Sequence, residues 1–415
     1  MKRPIFIIGM LFFVFGFVTW LGSVLIPYLK IACQLSNFSS YLVAFAFYIS
    51  YTVMAVPAGL VLRRTGYKKG MALGLLIMAA GALLFLPAAY SRAYPVFLAG
   101  LFVQGTGLAV LQTAANPYVT ILGPLESAAR RISVMGICNG IAGMIAPLII
   151  GSVVLQDADV IRERISRLSV SARLVELETL AHRVILPYLI MAIVLLALAI
   201  WVFFSALPEM YADVTEGDAA TEETKRTSIL QYPHLLFGVM TLFLYVGVEV
   251  IAGDTILNYG VSQGIPFSLA RFLPSCTLGC MLVGYLLGIV FIPNRLSQTT
   301  ALKICAGSGL VFAFAALATH GMVSVVFIAL LGLANSLVWP SIWPLALNGL
   351  GRFTPMGSAL LIVAIGGGAV LPLFYGRLVD IFTARQAYWL VVPCYGCIAW
   401  YAAYGHTFGA KTLRS

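Results

Sequence analysis

Runs of about 20 apolar residues recur along this chain almost from one end to the other, separated mostly by short loops that hold most of its basic residues. That recurrence restricts the fold more than any other feature. Only 10% of the 415 residues are charged and 61% are hydrophobic, where a soluble domain carries about a quarter charged residues. The solvent for such a chain is lipid. A lipid-facing backbone must satisfy its own hydrogen bonds, so apolar runs of this length are helices. We read twelve. The first six are Phe6–Leu29, Ser40–Leu62, Gly70–Tyr90, Tyr94–Leu122, Ile132–Leu155 and Ile185–Leu207. The second six are Leu235–Tyr259, Phe267–Ile292, Ala301–Ala318, Val323–Leu350, Met356–Leu378 and Tyr388–Tyr404. The opening MKRPIFIIGMLFF resembles a signal peptide, but its apolar run continues to Leu29 without a small-residue cleavage site, so it is read as a retained span.

The predicted fold is an all-α membrane protein of two six-helix bundles. Residues 1–207 form the first, with a long loop at 156–184, and residues 234–415 form the second. Residues 208–233, which include EGDAATEETKR, cannot bury a core and are read as a flexible linker. The halves echo each other. Gln112, Asn116 and Pro117 match Trp339, Trp343 and Pro344 at a constant offset, and Gly143 and Pro147 match Gly368 and Pro372. Parallel repeats of this kind suit two lobes that rock about a shared centre.

Basic residues set the orientation. With the N-terminus inside, one set of loops and ends holds Lys2, Arg3, Arg63, Arg64, Lys68, Lys69, Arg130, Arg131, Arg295, Lys303, Arg352, Lys411 and Arg414. The opposite short loops hold only Lys30, Arg92, Arg271, Arg377 and Arg385, so both termini are expected in the cytoplasm of a plasma or inner membrane. The formal charge of +10 is therefore topological and argues against a nucleic-acid partner. The loop at 156–184 carries Ile161, Ile165 and Leu168 at helical spacing and is read as one amphipathic surface helix.

Polar residues inside spans are costly unless they face protein or water. Gln112 and Asn116 share a helix face in the uncharged stretch QGTGLAVLQTAANPYVTILGP. Asn335, Trp339 and Trp343 form an i, i+4, i+8 stripe, flanked by Pro340 and Pro344, which are expected to bend that span. Indoles cover the C–H face of a pyranose, and amides both donate to and accept from its hydroxyls. The acids within spans are Glu249 and Asp254, in FLYVGVEVIAGDTILNYG. Glu249 lies one turn from Tyr245, and Asp254 one turn from Asn258. On a regular helix the two acids are about 140° apart, and a local break at Gly253 would turn both inward. Trp20 and Gln104 are expected to pack between helices. Cys394 and Cys397 have redox spacing but no nearby His or acid, and are read as small packing residues. No phosphate loop, metal motif or nucleophile elbow appears, and no enzymatic activity is expected.

The segments FAFYISYTVMAVPAGLVLRRTGYKKG, LQTAANPYVTILGP, FLYVGVEV and NSLVWPSIWPLALNGLGRFTPMGSALLIVAIGGGAVLP resemble the major facilitator superfamily. Within it they are most similar to the glucose/galactose branch of the fucose:proton symporter family. The resemblance spans nearly the whole chain and implies uptake of a neutral hexose by alternating access, usually coupled to a cation. It places Asn139, in CNGIAG, at a cavity-lining amide of the family. It also exposes a departure: Ser23 and Gln112 stand where fucose:proton members carry acids, and neither can carry a proton.

The resulting expectation has Gln112, Asn116, Asn139, Asn335, Trp339, Trp343 and Asn258 binding the sugar and Glu249 and Asp254 handling the coupling ion. That ion is a proton, with sodium as the alternative; no other cofactor and no metal is expected, and a monomer suffices. A cation-independent uniporter and a membrane sugar sensor remain the rival readings.

Overall fold

The computed structural model describes residues 2–121, 128–205, 207, 228–292 and 296–409. Within them every regular element is a helix. Ten helical stretches are long and apolar enough to cross a bilayer. The other two spans are Asn37–Met54, which carries several hydroxyl residues, and Val391–Ala403, which is short and follows the 3-10 turn Tyr388–Leu390. Together they make twelve spans in two bundles. Residues 208–227 of the linker, together with Arg295, Lys411 and Arg414, lie outside the described residues, as do the side chains of Lys2, Arg3, Pro117, Arg130, Arg131 and Arg352.

The first bundle consists of span 1 (Lys2–Thr19 and Gly22–Ala32), span 2 (Asn37–Met54, continued by the start of Pro57–Leu83), span 3 (the rest of Pro57–Leu83, with Phe85–Ser91), span 4 (Tyr94–Ile121), span 5 (Ala128–Val154) and span 6 (Ile185–Phe204). The second consists of span 7 (Pro233–Asp254 and Ile256–Ser262), span 8 (Phe267–Ala270 and Leu273–Phe291), span 9 (Gln298–Ala318), span 10 (Gly321–Asn335 and Val338–Leu347), span 11 (Thr354–Val363, a 3-10 turn and Gly367–Ile381) and span 12 (Val391–Ala403).

Spans 2 and 3 are joined more tightly than the sequence suggests. The loop read at residues 63–69 contracts to one non-helical residue, Gly66, with φ 75° and ψ 171°, a conformation open to glycine and strained for other residues. Spans 3 and 4 approach until a Cβ on Gly107 would sit 2.5 Å from the Gly74 carbonyl oxygen. Small residues allow this backbone contact, the usual basis of helix association in lipid.

Several spans are interrupted. Span 1 breaks at Trp20 and Leu21, span 7 at Thr255, span 10 at Ser336 and Leu337, and span 11 at Ala364–Gly366. Local hydroxyls bond backbone or side-chain partners at three of these breaks: Ser23 donates to the Trp20 carbonyl at 2.8 Å, Ser336 to the Leu333 carbonyl at 2.8 Å, and Thr255 pairs with the Tyr388 hydroxyl at 2.6 Å. The break in span 7 falls two residues beyond Gly253, the position expected from sequence.

One end of the molecule carries the long loop and is hereafter the loop face. The loop forms two helices, Ala158–Arg167 and Val170–His182, rather than one. Ile161 and Ile165 are buried as their spacing predicts, whereas Leu168 sits at the corner and is half-buried. The Tyr28 hydroxyl donates to the Leu180 carbonyl at 2.8 Å and docks the second of these helices on span 1.

The lobes meet at the loop face through two equivalent contacts. Asp380, at the end of span 11, accepts from the backbone of Asn37 (3.0 Å) and Phe38 (2.8 Å) and from Asn37 Nδ2 (2.8 Å), at the start of span 2. Asp159, in the helix after span 5, accepts from the backbone of Phe267 (3.0 Å) and Ser268 (3.1 Å), at the start of span 8. Spans 2 and 8, and spans 5 and 11, are counterparts in the two halves. Each lobe thus sends one carboxylate to cap a helix start in the other.

Candidate functional site

Behind this seal, between the lobes, lies a cavity of about 570 Å³ with polar groups set in a largely apolar wall. That is within the range of small-molecule sites. Spans 1, 2, 4 and 5 contribute from the first lobe, and spans 7, 8, 10 and 11 from the second. A larger groove, about 930 Å³, runs between spans 1, 5 and 6, but its walls are almost wholly apolar and suit acyl chains rather than a polar solute.

The first lobe presents amides. Gln112 and Asn116 project from one face of span 4, and Asn139 faces them from span 5. Asn116 is exposed, while Gln112 and Asn139 are half-buried. Thr113 also lines the wall, although its hydroxyl is held by the Ala109 carbonyl at 2.7 Å.

The second lobe presents aromatic rings and an acid. Trp339 and Trp343 stack with centroids 5.3 Å apart and planes 24° apart, making one continuous indole surface on span 10. Glu249 of span 7 is half-buried on the cavity wall and accepts a hydrogen bond from the Tyr245 hydroxyl at 2.8 Å. Among the described residues no Lys or Arg lines the cavity, and none of them pairs with this carboxyl there.

The other three sequence candidates stand outside this wall. Asn335 is buried inside the second lobe, where its Oδ1 accepts from Tyr395 at 2.8 Å. The i, i+4, i+8 stripe presumed an unbroken helix; the interruption at Ser336 and Leu337 separates Asn335 from the two tryptophans. Asn258 lies past the break in span 7 and faces the Tyr41 hydroxyl of span 2. Asp254 is fully buried in the seal, away from the cavity. Without a break at Gly253, the two acids keep their separate directions.

Gly253 serves another purpose. A Cβ there would collide with the ring of Trp20, and one on Gly143 would sit 2.5 Å from Trp20 Cδ1. Trp20 is thereby wedged between spans 5 and 7, and its ring also borders the cavity. Ser23 is buried in the seal with its hydroxyl spent on its own helix, while Gln112 reaches the cavity. Ser23 and Gln112 therefore have different surroundings here.

Thr19, Tyr48, Tyr51, Tyr285 and Ser358 complete the polar lining, and none was singled out from sequence. With 19 tyrosines in the chain, most in spans, the residue type alone gives little contrast. The available signal was the spacing of Tyr48 and Tyr51, which puts both on one helix face.

The Major Facilitator Superfamily family model matches residues 8–354. The chain belongs to the major facilitator superfamily. It is 36% identical over 399 residues to a glucose/galactose transporter of Brucella abortus, covering 95% of this chain and 92% of the relative. It is 30% identical over 384 residues to the L-fucose-proton symporter of Escherichia coli, covering 89% of this chain and 85% of the relative. Among solved structures, the superfamily transporter FucP in the outward conformation aligns over 99% of both chains, with 26% identity and a TM-score of 0.72. A bacterial homologue of the lysosomal transporter Spinster, inward-facing, shares the fold with a TM-score of 0.69 at 14% identity.

Proposed function

We propose that the chain is a secondary active hexose transporter of the glucose, galactose or fucose type, coupled to protons and working by alternating access. The composition of the cavity carries this reading: amides from one lobe oppose a stacked indole surface and an acid from the other. A pyranose needs both an apolar plate and paired donors and acceptors. The names of the relatives support the same substrate class. Such transport makes and breaks no covalent bond of the sugar, and the relatives are transporters.

In this reading the loop face is extracytoplasmic and both termini are cytoplasmic, in the plasma or inner membrane, as the basic loops indicate. The seal at the loop face then makes the present arrangement inward-facing. Gln112, Asn116 and Asn139 hold sugar hydroxyls; Trp339 and Trp343 cover its C–H face. Glu249 takes a proton together with the sugar. Each ligand strengthens binding of the other, and this linkage lets a proton gradient drive accumulation. A lone carboxyl suits a proton, whereas sodium requires several converging oxygens. One subunit supplies the complete cavity, so a monomer suffices.

The test is uptake of labelled galactose, glucose and fucose into vesicles under imposed proton or sodium gradients, with Glu249→Gln beside the wild type. The reading predicts accumulation driven by a pH gradient in the wild type. It predicts that Glu249→Gln exchanges sugar across the membrane but no longer accumulates it. Sodium-driven accumulation would reassign the ion. Equilibration indifferent to both gradients would make the protein a uniporter, the reading favoured by first-lobe spans that hold no Asp or Glu.

A further inference from the structure

Asp254 is 0% exposed, and neither carboxyl oxygen has a hydrogen-bond partner. It closes the helix Pro233–Asp254 and points across the lobe interface. A Cβ placed on Gly22 of span 1 would sit 2.8 Å from Asp254 Oδ2, so only a glycine lets the two backbones approach around this side chain. Beside it is a void of about 10 Å³, separate from the sugar cavity. That is close to the space of one water. Two more buried polar atoms without partners belong to residues bordering the same void: Gln104 Nε2 from span 4 and the Tyr188 hydroxyl from span 6.

The titratable groups facing Asp254 there are Tyr48 of span 2 and Tyr188 of span 6; span 1 offers Thr19 and backbone, and span 4 offers Gln104. Tyr41 of span 2 lies near as well. Among the described residues no Lys, Arg or His borders the void. A carboxylate sealed here would have no counter-charge, and burying an unpaired charge is costly. The neutral acid avoids that cost and gains a donor for the remaining acceptors. A space for one water has no room for a larger cation and its shell.

The void exists only while the lobes touch, because Gly22 and Tyr48 belong to one lobe and Asp254 to the other. Parting the lobes at this face brings the carboxyl to outside water. We propose that Asp254 is a proton-binding gate residue: it takes a proton from the outer solution while the seal is open, and the seal closes over the neutral acid. The proton adds to one carboxyl oxygen and returns to the same side when the seal reopens. Asp254 therefore sets the pH response of closure and adds nothing to the protons carried per sugar, the part given to Glu249. The inference rests on the proposed orientation and transport cycle.

The test reads seal opening directly. Val43 borders the void and is 1% exposed. In full-length Val43→Cys protein in membranes, an impermeant maleimide added outside modifies position 43 only when the seal is open, and mass spectrometry of that site gives the rate. Because a maleimide reacts with the thiolate, each rate is divided by that of a small free thiol at the same pH, and the proposal expects this normalised rate to rise at least about fivefold as outer pH is raised from about 5 to about 9. With Asp254→Asn added, the rate is expected to stay low and flat, whereas with Glu249→Gln it keeps its slope. A flat wild-type profile overturns the proposal, and so does an unchanged slope with Asp254→Asn in protein that still binds hexose. Hexose accumulation under a pH gradient is measured alongside. Its absence in the wild type defeats proton symport, while the labelling profile still judges the gate.

Discussion

At the scale of single residues, the cavity divides its work by chemical type. The stacked pair Trp339 and Trp343 offers one apolar plate, and the amides of Gln112, Asn116 and Asn139 oppose it. Replacing Trp339 by Ala removes part of the plate and is expected to weaken hexose binding by about tenfold, or roughly 1–2 kcal/mol, with Trp339→Phe losing less; titration calorimetry measures both. Which residues share this cavity was partly legible from sequence. An amide or acid inside an apolar run is conspicuous, which brought out Gln112, Asn116 and Glu249, while the family resemblance brought out Asn139. Asn335 was equally conspicuous but is buried against Tyr395, because helical spacing carries no information about the break at Ser336 and Leu337. Tyr48 and Tyr285 escaped notice because tyrosine is unremarkable in a membrane helix.

At the scale of elements, the seal depends on small residues and capped helix ends. Trp20 fits between spans 5 and 7 only because positions 143 and 253 are glycine. Gly253→Ala is expected to disfavour the closed seal and raise labelling of Val43→Cys from outside severalfold, without loss of folded protein by size-exclusion chromatography. The caps at Asp380 and Asp159 make five hydrogen bonds across the lobes. Part of this contact is solvent-exposed, so each cap is assigned only about 1 kcal/mol. Asp380→Ala and Asp159→Ala should each shift the same labelling by about fivefold, and together by close to the product, since the pairs share no residue. The sequence marked the spans themselves, whose apolar length is unambiguous. It hid these caps, which join residues 343 and 108 positions apart. It also hid the corner at Leu168, since amphipathic spacing continues across it.

At the scale of the whole molecule, two similar halves enclose one cavity and are closed at the loop face. The repeat was faintly visible in the offset between spans 4 and 10, where a pair of amides in one half answers a pair of indoles in the other. The state of the seal was not, because both states of an alternating-access protein share one sequence. Holding the loop face shut should stop net transport while sparing the cavity. A short bis-maleimide linking Asn37→Cys to Asp380→Cys is expected to abolish uptake, with cleavage of a reducible version restoring it.

The central claim is that one sugar is held by both lobes at once. Equilibrium hexose binding to purified protein tests it most directly, comparing the wild type with Gln112→Ala in the first lobe and Trp343→Ala in the second. The account predicts that each substitution weakens binding by about tenfold. Unchanged affinity in either variant would mean that the sugar is held by one lobe alone, and would contradict it.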